Sequence, residues 1–147
     1  MMWMEILKMN FELVTLDGVK FKAQVYSVVL PTAAGQITVM PGHEPILALL
    51  VPGIILIRRN KGDADYHQEH FATYGGVVEI SREGTRVLVD EATPSSEISE
   101  AEAQKAHDAA VALRKAAKTQ VELDRAQTLV DRQVVRLEVA KIKRRSR

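Results

Sequence analysis

The sequence predicts a β plus α protein: an N-terminal β-sandwich of about ten strands followed by a C-terminal two-helix hairpin. Three observations carry this. Short apolar runs with period-two alternation and frequent turn dipeptides fill the first ninety residues. After Thr93-Pro94 the chain holds no further Pro or Gly, and Ala, Glu, Lys, Arg, Leu and Val dominate. Two capping-box patterns, Ser99-x-x-Glu102 and Thr119-x-x-Glu122, punctuate that second part. The expected division is an extension over 1–8, a β-sandwich over 9–93 and a helical hairpin with a basic tail over 94–147.

Element by element, Met9, Phe11 and Leu13 alternate with Asn10, Glu12 and Val14, and Val14 is the one exception to the pattern. Asp17-Gly18 is a tight-turn dipeptide, and Val19–Lys22 alternates again. Ala23–Leu30 is β-branched and aromatic and stops at Pro31. Ile37–Met40 is a short strand before Pro41-Gly42. Gly53–Arg58 is a continuous apolar run that suits a strand buried on both faces. Residues 60–63 read as a hairpin loop, Tyr66–Tyr74 and Val77–Ile80 as strands flanking a turn at Gly75-Gly76, and Thr85–Asp90 as a last strand after Glu83-Gly84. About nine short strands at this spacing indicate a sandwich or barrel.

Two helices are expected, at roughly 99–117 and 120–141, with one continuous helix as the alternative because Thr119 is a weak breaker. Leu123, Ala126, Val130, Val134, Leu137 and Lys141 fall on one face of the second. The first offers mainly alanines (Ala103, Ala106, Ala110, Ala117) with Val111 and Leu113. An alanine-rich seam buries little area, at ~25 cal/mol per Å². Such a hairpin is marginally held together and can open.

Composition narrows the function classes. Of 147 residues, 46% are hydrophobic and 27% charged, with a formal net charge of +1. The distribution is uneven: residues 1–94 carry 8 Lys/Arg against 11 Asp/Glu, and residues 95–147 carry 12 against 8. A basic tail on an acidic domain points to an acidic partner surface. No cysteine occurs, which excludes disulfides and thiolate metal sites. The longest apolar run, Ile46–Ile57, is too short to span a bilayer and is broken by Pro52 and Gly53. The start, MMWMEILK, lacks the features of a secretory signal.

No catalytic or metal-binding constellation stands out. His67 and His70 lie three apart in a strand-like run, which puts them on opposite faces. His43, between Pro41-Gly42 and Glu44-Pro45, reads as a residue pinning a structural turn. Gly75-Gly76 lacks the strand–loop–helix context of a phosphate cradle. The terminal run from Lys141 is basic, and Arg132 and Arg136, four apart, share a helix face with Arg125 near by. No aromatics interleave with these bases, which weakens a single-stranded nucleic-acid reading. The expectation is a non-catalytic binding protein with no cofactor and no metal.

The segment Leu30-Pro-Thr-Ala-Ala-Gly-Gln-Ile-Thr-Val-Met-Pro-Gly-His-Glu-Pro45 resembles the epsilon subunit of F-type ATP synthases. The family shows a similar Leu-Pro…Gly-Glu…Val-Leu-Pro-Gly-His-Ala-Pro stretch. Val51-Pro52-Gly53, Tyr74-Gly75-Gly76 and Val87-Leu88-Val89-Asp90 match later family segments, and the likeness runs from about Met9 to Lys143. The resemblance implies a ten-stranded sandwich, a helical hairpin and a place in the central stalk of a proton-translocating enzyme. The sandwich would bind the gamma subunit. The loop Thr32, Ala33, Ala34, Gly35, Gln36, Ile37 and Thr38 would face the ring of c subunits. The helices would reach the alpha/beta catalytic head through Arg125, Arg132 and Arg136 and inhibit ATP hydrolysis.

Membrane association would then be only through the complex, at the cytoplasmic face of the bacterial cell membrane, and no nucleic acid would be involved. Some members bind ATP through a first-helix motif and two second-helix arginines. Arg132 and Arg136 match the arginines, but the motif's Asp is Ser99 and its Arg is Glu102, so half the nucleotide site is missing. One rival reading is a free-standing β-sandwich adaptor whose basic helical tail binds nucleic acid or anionic lipid. Another is a small-ligand-binding sandwich with a helical lid.

Overall fold

The computed structural model describes residues 7–64 and 68–145. It divides into two compact units, Met1–Pro94 and Ser95–Arg147. The first unit is built from β1 (Met9–Thr15), β2 (Gly18–Val25), β3 (Ser27–Thr32), β4 (Gly35–Val39), β5 (Ile46–Arg58), β6 (Glu69–Ser81), β7 (Gly84–Val89) and β8 (Ala92–Pro94). They are hydrogen-bonded in the order β2-β1-β7-β6-β5-β3-β4, with β8 added to β6. Among the described residues only β1 and β7 run parallel.

Two strands serve both layers of the sandwich. Ile46–Leu50 of β5 pairs with 76–80 of β6, which pairs with β7 and so leads on to β1 and β2. Residues 53–57 of β5 pair with 69–73 of β6, and the same halves carry β3, β4 and β8. Counted once per layer, eight strands become ten. The interruption falls at Val51 and Gly75, which lack the partners that their neighbours Leu50↔Gly76 and Pro52↔Tyr74 have. Ile46–Leu50 and Ala92–Pro94 are strand segments in addition to those read from the sequence. One sequence expectation is corrected here. Gly75-Gly76 does not reverse the chain but lies inside β6. A Cβ on Gly76 would sit 2.3 Å from the Leu88 carbonyl oxygen, so β6 and β7 can close up only around glycine. The start of the expected Tyr66–Tyr74 strand, with Tyr66 and His67, lies outside the described residues.

The core draws on every strand. Phe11, Leu13, Val28, Leu30, Ile55, Ile57, Val78 and Val87 are fully buried. Phe21 packs between Phe11 (centroids 5.9 Å, rings tilted by 53°) and Phe71 (6.3 Å, edge-on at 75°), and the Arg59 guanidinium lies over the Phe21 ring at 4.8 Å. Arg59 also grips Glu69 with two bonds, at 2.9 and 3.2 Å. The bond to Glu69 raises the guanidinium pKa above its ordinary value, so this charge is constant at every working pH.

The second unit begins with a short 3-10 turn, Ser95–Glu97, followed by α1 (Glu100–Ala116) and α2 (Gln120–Arg145). Ser99 is the N-cap of α1, and its Oγ accepts from the Glu102 backbone N–H at 3.3 Å. Thr119 does the same for α2, its Oγ1 accepting from Glu122 N–H at 3.2 Å, while the Glu122 carboxylate turns back onto Lys118 N–H at 2.9 Å. With no Pro or Gly to stop it, α2 runs four residues beyond the expected end.

The two helices pair as a hairpin. Their seam differs from the expected stripe. Ala126, Val130, Leu137 and Ala140 are buried, whereas Leu123 and Val134 are exposed. At 100° per residue, Leu123, Val134 and Lys141 lie on the flank of the buried stripe rather than at its centre. On α1 the buried members are Ala103 and Ala110.

Candidate functional site

Three surfaces carry the candidate residues. The first is the tip of the β3–β4 hairpin. Thr32 ends β3 and is buried, Ala33 and Ala34 make the turn, and Gly35 opens β4 with φ +117, a conformation that glycine adopts without strain. The Thr32 hydroxyl donates to the Gly35 carbonyl, and Ala33 N–H bonds to the Leu49 carbonyl at 3.0 Å. Ala33, Ala34, Gly35, Gln36 and Thr38 are exposed, and Ile37 is partly covered and packs on the core. The tip is therefore a small, uncharged projection on a rigid base. Close by in sequence, Pro41 and Gly42 form a turn closed by His43 N–H to the Met40 carbonyl at 3.1 Å. The His43 Nδ1 lies 2.8 Å from the Glu44 carbonyl oxygen, and Pro45 leads into β5.

The second surface was not singled out by sequence reasoning. On the outer face of the β2-β1-β7-β6-β5 layer, cross-strand partners line up in rows. Leu49 pairs with Val77, Val77 with Leu88, Leu88 with Val14, and Val14 with Val19. This apolar row crosses five strands, about 19 Å at ~4.8 Å per strand. Leu49 is 65% exposed, Leu88 46% and Val19 55%. The next row is Leu47, Glu79, Arg86, Glu12 and Lys22. Its charges alternate in sign, and Arg86 bonds Glu12 at 3.3 Å. A shallow groove of about 530 Å³ opens over these charged residues. One signal was present in the sequence: Val14 breaks the period-two pattern of β1, and an apolar residue at an outward position is what a docking face requires.

The third surface is on α2. Arg125, Arg132 and Arg136 are spaced seven and four apart and so share one side of the helix. Arg125 is exposed, and Arg132 and Arg136 are partly buried. Ser99, at the place of the incomplete nucleotide motif, caps α1 by accepting from the backbone N–H of Glu102. Among the described residues no group of three or more His, Asp or Glu side chains could hold a metal ion, and His70 is buried on β6. No described helix is long and apolar enough to cross a membrane.

The chain is thus a folded-over β-sandwich followed by a capped helical hairpin, with an exposed apolar row on the sandwich. Its β domain matches the sequence model of the ATP synthase delta/epsilon chain β-sandwich domain over residues 8–95. The chain belongs to this family, as an ATP synthase epsilon chain. It is 31% identical over 96 residues to the ATP synthase epsilon chain of Brucella anthropi, covering 65% of this chain and 68% of that one. It is 32% identical over 95 residues to that of Brucella canis, covering 65% and 67%. Among solved structures it is similar to a chain of the Euglena gracilis mitochondrial ATP synthase, solved as OSCP, F1 and c-ring. The TM-score there is 0.79 at 20% identity, over 92% of this chain and 82% of that one. A chain from the central stalk and c-ring of the Tetrahymena thermophila mitochondrial ATP synthase gives a TM-score of 0.58 at 16% identity, over 89% and 95%.

Proposed function

We propose that this epsilon chain is a non-catalytic subunit of the central stalk of a proton-translocating ATP synthase. Its sandwich joins the gamma subunit to the ring of c subunits, and its C-terminal hairpin restrains ATP hydrolysis at the alpha/beta head. Association with the membrane, at the bacterial cytoplasmic face, is through the complex. The observation that carries this reading is the exposed row Leu49–Val77–Leu88–Val14–Val19. Apolar side chains aligned across five strands leave a surface that a permanent partner would cover. The adjacent alternating charges would set the partner's register. Gamma is assigned to this row, and the c ring to the uncharged Ala33–Gln36 tip. The bases at Arg125, Arg132 and Arg136 are assigned to an acidic surface of the head.

The test is association with gamma. Leu49→Asp combined with Leu88→Asp puts two charges into the row at positions already open to water, so the sandwich should fold as before by circular dichroism. Pull-down with gamma should be lost. Unchanged capture of gamma by the folded double variant would overturn the assignment of this face.

A further inference from the structure

We propose that Gln133 is a built-in weak point of the hairpin seam, placed to keep the closed hairpin close to opening. The proposal rests on the reading of the hairpin as a regulatory element and names the residue that sets its balance. Starting at Ala126, the side of α2 turned toward α1 runs Ala126, Val130, Gln133, Leu137, Ala140 and Arg144, with spacings alternating between four and three. Arg144 shows where this stripe points, because its Nη1 bonds Glu100 of α1 at 3.0 Å. Every member between Ala126 and Arg144 is a buried apolar residue except Gln133.

Among the described residues, Gln133 Oε1 is a side-chain oxygen shut off from solvent with no hydrogen-bond partner. The reason lies across the seam. The antiparallel register that joins Glu100 to Arg144 and Arg114 to Gln127 places Gln133 opposite residues 108–111 of α1, where Ala110 is the buried member. A methyl group offers no donor. A sealed and unpaired acceptor penalises the closed hairpin, and opening returns that oxygen to water, so the penalty acts on one state alone. A polar residue in the middle of an otherwise apolar helix seam also disfavours tighter and longer-lived pairing. The alanines opposite recover little of this by burial.

The experiment is amide hydrogen exchange on the full chain, comparing wild type with Gln133→Leu and Gln133→Met. Both replacements keep the approximate volume and remove the acceptor. Exchange of the protected amides of α1 and α2 should slow about tenfold in both variants, with the amides of β1 to β8 unchanged. Unchanged or faster helix exchange in both variants overturns the proposal, and so does equal slowing throughout the sandwich. Measuring two variants guards against a packing defect particular to one side chain. ATP hydrolysis by the enzyme reassembled with each variant separates the two claims. Slower exchange with unaltered hydrolysis keeps Gln133 as the weak point and removes the regulatory reading of the hairpin.

Discussion

Arg144 Nη1 donates a 3.0 Å hydrogen bond to Glu100 Oε1, tying the last turn of α2 to the first residue of α1. Each partner also suits its own helix end, an anion at an N-terminus and a cation at a C-terminus. Glu100 is 35% exposed and Arg144 62%, so solvent screens the pair. A double-mutant cycle with Glu100→Gln and Arg144→Gln should give a coupling of ~0.2–1 kcal/mol, falling as salt is raised. It is read from exchange of the amides at the open end of the hairpin. A coupling that persisted at high salt would show a desolvated pair instead.

Gly76→Ala should destabilise the sandwich by about 1–3 kcal/mol, since the new Cβ is driven into the Leu88 carbonyl and the Val89 side chain. Gly62→Ala, in the loop after β5 with open space around it, should be close to neutral. Urea midpoints of the two variants make the comparison. Equal midpoints would mean that β6 and β7 can separate locally at little cost.

Truncation after Thr93, or Arg125→Ala, Arg132→Ala and Arg136→Ala together, should raise ATP hydrolysis by the assembled enzyme. One exposed ion pair contributes only ~0.2–1 kcal/mol, so no single arginine should reproduce the triple change. The increase should shrink at high salt, where screening has already weakened these contacts. Steady-state hydrolysis at low and high salt, with the proton gradient collapsed, decides it. Equal rates with and without the helices would remove the restraint from the proposed function.

The features legible in the sequence were those governed by local chemistry. Ser99 and Thr119 announced their helices because a hydroxyl at the N-cap meets an orphan N–H three residues on, whatever the tertiary context. The alternation of Phe11 and Leu13 with Glu12 and Asn10 placed β1 because only one face of it is buried. Ile46–Leu50 was harder to see, because Leu47 and Leu49 are apolar yet point outward, and the run loses its period-two signature. Gly75-Gly76 read as a turn because the need for glycine came from the neighbouring strand rather than from a reversal of the chain. The apolar row was invisible as a row. It depends on which strands are neighbours, and β1 meets β7 across more than seventy residues of chain. The seam of α2 was misplaced by a fraction of a turn, an error small in sequence but large enough to exchange Leu123 and Val134 for Gln133 and Ala140.

The passage of β5 through both layers has a mechanical consequence. Leu49 stands in the exposed row, its carbonyl holds Ala33 N–H in the hairpin tip, and its neighbour Leu50 is in register with Thr32 at the base of that tip. A push on the row thus reaches the tip through one covalent strand and the hydrogen bonds flanking it, with no hinge or loop between. Load applied along β5 strains those bonds in shear, all together, instead of peeling them apart one by one. If the row and the tip hold different partners as proposed, those partners meet on adjacent residues of one strand, Leu49 and Leu50.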